Sequence, residues 1–126
     1  MSNPFTSFLS QWLADRRLKE FVAYWDELEA TVVGVYRQKM SVEAAEPIFE
    51  RVWPWLRVHY EEWADLIRPF WLRTKAGGQP VTQDPFRLLL SLQHPQAIKG
   101  NWQAMQHLPA AREALNQFIL SRARQE

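Results

Sequence analysis

The chain has 126 residues, no cysteine, and a composition that is 47% hydrophobic and 13% aromatic, with seven Trp. That length suits one domain with its own core, and the missing cysteines exclude disulfides, thiolate zinc sites, iron–sulfur clusters and cysteine nucleophiles. Fifteen basic and 14 acidic residues leave a net charge of +1, short of the basic excess that marks a dedicated nucleic-acid binder.

The basic residues are 11 Arg and 4 Lys. Arg stacks on aromatic faces and forks onto carboxylates, so the skew suits a Trp-rich chain. Met1 to Phe5 has neither the basic nor the apolar segment of a secretory signal, and no apolar run approaches the roughly 20 residues that span a bilayer. A cytoplasmic location with no membrane contact is expected. One helical domain over 1–126 is expected, without repeats or low-complexity tracts.

In chain order, the pattern predicts a short helix over about 4–14. Asn3 would cap it, Pro4 would open it, and Phe5, Phe8, Leu9, Trp12 and Leu13 share one face. A second helix follows over about 16–39. Leu18, Phe21, Trp25, Leu28, Val32 and Val35 are spaced 3, 4, 3, 4, 3, the seam of a bundle helix. Ser41 caps a third helix reaching to about 74, with Glu43 in its first turn. Its seam is Phe49, Trp53, Leu56, Tyr60, Trp63, Ile67 and Phe70. The unbroken period through Pro54 predicts one helix kinked near that proline. The short link near 40–42 makes helices 16–39 and 42–74 an antiparallel hairpin, with Trp25 opposite about 57–59.

Ala76-Gly77-Gly78-Gln79-Pro80 then ends the helix and opens the longest loop. Asp84-Pro85 starts a short helix with Phe86, Leu89, Leu90 and Leu92. His94 to Gly100 reads as a turn. A last helix covers about 101–124 with a break or kink at Pro109, and carries Trp102, Met105, Leu108, Leu115, Phe118 and Ile119. Gly100-Asn101-Trp102 and the run Leu108 to Glu113 look specific rather than generic. The expected fold is all-α, a four- to five-helix bundle around the long hairpin.

The chemistry-bearing signals are weak. Trp55, His59 and Glu62 flank the seam of the third helix. His-x-x-Glu can bind metal or act as an acid–base pair, yet it occurs once and the further ligands of a carboxylate-bridged bundle are missing. No metal and no cofactor are expected. The plainer reading puts His59 at the core margin against Glu62 or a Trp. Trp53 and Trp55 point about 200° apart around a helix, so Trp55 is either covered by a later helix or left as a binding anchor. Glu43, Glu46 and Glu50 read as a solvated face. His94 and His107 read as capping or exposed. Arg16, Arg17 and Lys19, with Arg122 and Arg124, form two small basic clusters. Gly77-Gly78 lacks the spacing of a phosphate loop.

The aromatic excess favours a non-enzymatic interaction or assembly protein, homo-oligomeric or a small subunit of a larger complex. The alternatives are a small-ligand-binding bundle with an aromatic pocket near Trp55, His59 and Glu62, and a nucleic-acid-associated subunit, which the charge balance argues against.

Overall fold

Between Phe5 and Val33 the chain holds neither glycine nor proline, so nothing in the backbone interrupts a helix. The computed structural model describes residues 4–124, and side chains from residue 15 onward. It carries one helix here, α1 (Pro4–Tyr36). The two helices expected over about 4–14 and 16–39 are thus one. The charged run Asp15-Arg16-Arg17 interrupts the apolar stripe but breaks no backbone hydrogen bond. The predicted seam from Leu18 to Val35 is buried throughout. The apolar face from Phe5 to Leu13 lies outside the described side chains.

A turn in which Gln38 takes φ = 60° leads to α2 (Val42–His59). Ser41 caps it as expected, its Oγ accepting the Ala44 N–H at 3.1 Å. The single helix expected over 42–74 is not continuous, and its interruption lies beyond Pro54. α2 runs through Pro47 and Pro54 and gives way at Tyr60–Glu62 to a 3-10 turn, after which α3 spans Ala64–Trp71. Two physical reasons account for this. Pro54 and Glu50 are both exposed, so the Glu50 carbonyl that Pro54 cannot pair faces water and the proline costs little. The break itself marks a change of partner, because α2 packs on α1 whereas α3 packs on the last helix, α5 (Trp102–Arg124).

The hairpin register also differs from expectation. Glu27 meets Arg51, Tyr24 meets Trp55 and Arg17 meets Glu62. Trp25 therefore lies opposite about residue 54, roughly one helical turn from the expected position, because α1 ends at Tyr36 and the turn consumes the difference.

The expected loop after α3 contains a small antiparallel hairpin, β1 (Lys75–Ala76) with β2 (Gln79–Pro80). Gly77 and Gly78, at φ of 57° and 81°, form its two-residue turn, a conformation that glycine adopts without steric cost. Asp84 then caps α4 (Pro85–Leu90), its carboxylate accepting the Phe86 N–H at 2.9 Å. A 3-10 turn, Pro95–Ile98, precedes α5. Asn101 caps α5 through the Ala104 N–H at 3.1 Å. α5 continues through Pro109 without the break that was one of the two expectations there. Pro109 is exposed, which again leaves the unpaired carbonyl near solvent.

The core joins all five helices. At its centre Phe21, Trp25, Tyr60 and Phe86 form a run of ring contacts from α1 through the 3-10 turn to α4. The Tyr60 hydroxyl donates to Asp84 Oδ2 at 2.6 Å. Trp53 Nε1 donates to the Leu90 carbonyl at 2.5 Å, a second tie to α4. Among the described residues no helix is long and apolar enough to cross a membrane.

Burial pushes the Tyr60 phenol far above its ordinary value of 10, and the charge and hydrogen bond of Asp84 push the same way. The folded state therefore holds a proton that the unfolded chain releases above pH 10. Stability from this group is full below pH 10 and falls above it, by about 1.4 kcal/mol per pH unit. Urea denaturation at pH 9 and pH 11 is expected to show this loss in the native chain and a smaller loss in Tyr60→Phe. Equal losses would refute the assignment.

Candidate functional site

α2 is amphipathic on more than one side, and its side chains reach three different neighbours. Trp55 stacks on Tyr24 of α1 (centroids 4.1 Å, planes 8° apart) and on His59, one turn along its own helix (4.1 Å, 26°). Trp55 and His59 are both half-buried. Offset stacking of this kind contributes about 0.5–1.5 kcal/mol beyond area burial. Glu62 does not join them. It sits on the 3-10 turn and pairs with Arg17 of α1 at 3.1 Å. Of the three flank residues, then, the structure brings Trp55 and His59 together and turns Glu62 to a separate, exposed ion pair.

The remaining polar candidates are placed as follows. His94 Nδ1 accepts the Gln96 N–H at 3.1 Å and caps the second 3-10 turn, while its Nε2 lies 3.4 Å from Glu46. His107 Nδ1 lies 2.9 Å from the Gln103 carbonyl. Glu43 and Glu50 are exposed. Among the described residues no group of three or more His, Cys, Asp or Glu could hold a metal ion.

Two of the concave regions border the hairpin helices. Between α2 and α4 is a cleft of about 650 Å³. There the Arg57 guanidinium lies 5.4 Å over the Trp53 ring and that of Arg87 lies 5.6 Å over Tyr60. Arg87 is also held by Glu61, at 2.6 and 3.1 Å. That hydrogen bonding holds the Glu61 carboxyl below its ordinary range.

The second region runs between α1 and α5. Arg112 spans it, donating to Glu29 Oε2 at 2.7 Å and Asp26 Oδ1 at 2.5 Å. Burial works against the Arg112 charge, but the hydrogen bonds to Glu29 and Asp26 outweigh it and raise its pKa. The run Leu108 to Glu113 carries no local signal of this role for Arg112, because its partners lie more than 80 residues away in sequence. Trp102, expected among the apolar positions of the last helix, is instead 61% exposed. It is the first residue of α5, where a cap residue and not a core contact sets the position.

No family model, curated protein or solved structure matches this chain.

Two outcomes follow from this geometry. Trp55→Ala is expected to cost about 2 kcal/mol through the lost stack on Tyr24 and His59, whereas Glu62→Gln should stay within about 0.5 kcal/mol, as exposed ion pairs do. Chemical denaturation checks both, and comparable losses would contradict the placement. Arg112→Ala should cost about 1–2 kcal/mol, because it strands the Glu29 carboxylate. Adding Glu29→Gln to Arg112→Ala should recover part of that loss, and a purely additive double variant would argue against the pairing.

Proposed function

We propose that the chain is a non-enzymatic interaction or assembly protein of the cytoplasm that docks, with itself or within a larger complex, through the surface around Trp102. One observation carries the reading. Trp25, Trp63 and Trp71 are buried and Trp53 and Trp55 are half-buried, but Trp102 is 61% exposed. Among the described residues the aromatic excess is thus largely taken up inside the fold, and one exposed Trp ring is left on a rigid helix end. Trp is strongly enriched among residues that dominate binding energy, and such anchors are effective when their position is fixed beforehand. Trp102 is so fixed: Gly100 takes φ = 68° and Asn101 caps the helix that Trp102 begins.

Replacing Trp102 with a photocrosslinking benzoylphenylalanine, in cells of the source organism, is expected to give discrete adducts. Sedimentation of the purified chain separates self-association from capture of another protein. Trp102→Ala should weaken either association by about 30-fold or more, the scale of a hot-spot residue, with the fold unchanged. A strictly monomeric chain that forms no discrete adduct would overturn the proposal.

A further inference from the structure

α1 and α5 run antiparallel and leave a long groove between them. Toward the α1–α2 turn, Ala30, Val33 and Gly34 share a hollow of about 710 Å³ with Met105, Leu108 and Pro109. Toward the other end, Leu18 and Val22 share a hollow of about 380 Å³ with Ile119 and Ala123. The bridge from Arg112 to Asp26 and Glu29 lines the larger hollow, on the side nearer Val22 and the smaller one.

Charge is distributed along this groove in a definite way. The acids at its centre, Asp26 and Glu29, are both engaged by Arg112. Arg37 and Lys39 line the larger hollow. Among the described residues Lys19, Arg122 and Asp15 line the smaller, and the Arg122 guanidinium, which lies 5.9 and 5.8 Å over the Trp63 and Phe118 rings, keeps its charge there without a carboxylate partner. The groove is therefore apolar along its floor and cationic at both ends. Trp102 belongs to the same surface, since Trp102, Met105, Pro109 and Arg112 are spaced 3, 4, 3 along α5 and share one helical face.

We infer that this groove receives one amphipathic helix of a partner protein, apolar on the buried face and acidic at both ends. The inference rests on the interaction reading above and names the partner's chemistry. A second copy of the chain is a poor occupant. Two such grooves related by a two-fold axis and run antiparallel would set cationic end against cationic end. A helix fits because the hollows have helical spacing. Leu108 and Ile119 are about eleven residues apart, or about 16 Å along α5. The partner's two apolar anchors then stand at i and i+11, three turns apart on one face. A small residue between them passes over the Arg112 bridge. Acidic residues beyond the anchors reach Arg37 and Lys39 at one end and Lys19 and Arg122 at the other.

The test uses the full chain and a displayed library of helices about 18 residues long, enough to cover both hollows at 1.5 Å per residue. Selected helices are expected to carry apolar pairs at i and i+11 and Asp or Glu at both ends. Two variants probe the site. Lys19→Glu with Arg37→Glu changes exposed residues only, and Ala30→Trp fills the larger hollow from an exposed position. Each should weaken the selected helices at least about tenfold, and amide shifts should map to α1 and α5. The inference falls if selected helices lack acidic ends, if both variants bind within about twofold of the native chain, or if vesicles rich in phosphatidylglycerol displace the helices, which would assign the groove to lipid. Adducts at Trp102 with no such selection would sink the groove alone. Selection without adducts would keep the groove and sink the assembly reading.

Discussion

The Tyr60 phenol is taken out of water at the point where α2 hands over to α3, and a buried hydroxyl without a partner costs about 1–3 kcal/mol. Asp84 removes that cost. The same carboxylate caps α4 and lies 3.6 Å from the Arg87 guanidinium. One acid thus fixes where the second helix ends and where the fourth begins. The ring of Tyr60, stacked between Phe21 and Phe86, then sets how far α4 stands from α1. α3 leaves this junction in a new direction and packs on α5. α5 returns along α1, held there by Arg112. The groove and its flanking surface exist because the long helix was interrupted at this residue.

The all-α fold was readable because apolar spacing survives translation into structure wherever one face meets one neighbour. Leu18 to Val35 behave so, and all six are buried. The second seam was readable as a period but not as a path. Trp53 and Phe70, both on the predicted stripe, are half-buried, while Val52 and Trp71 beside them are buried. A 3-10 turn advances about 120° per residue against 100° for an α-helix, so three residues of it rotate the stripe for the residues that follow, Phe70 among them, while Trp53, before the turn, is held by the Leu90 carbonyl. Nothing local in the sequence marks the interruption at Tyr60–Glu62, which comes about one and a half turns after Pro54. The Gly77-Gly78 hairpin carries a recognisable two-residue turn signal, but its strands are two residues long and show no alternation.

The candidate site was legible in part. Stacking of His59 on Trp55 follows from their i, i+4 spacing on one helix. The departure of Glu62 does not, because it depends on the break and on Arg17. Arg112 and Trp102 were legible only as unusual local sequence. Their roles come from residues far away or from exposure, and neither is encoded locally. Trp25 and Trp71 add a further point. Their indole N–H groups are buried with no hydrogen-bond partner among the described residues.

The Arg112 bridge has a consequence for the order of assembly. Glu27 and Arg51 close over 24 residues, so the α1–α2 hairpin forms from a short stretch of chain. Arg112 and Glu29 close over 83, and the loop entropy of that closure is met only once α5 has been synthesised. A nascent chain ending anywhere before α5 displays α1 without the opposite wall of the groove. A partner of the kind we infer, needing both walls, would not engage an unfinished chain, so its recognition would wait until the fold is complete.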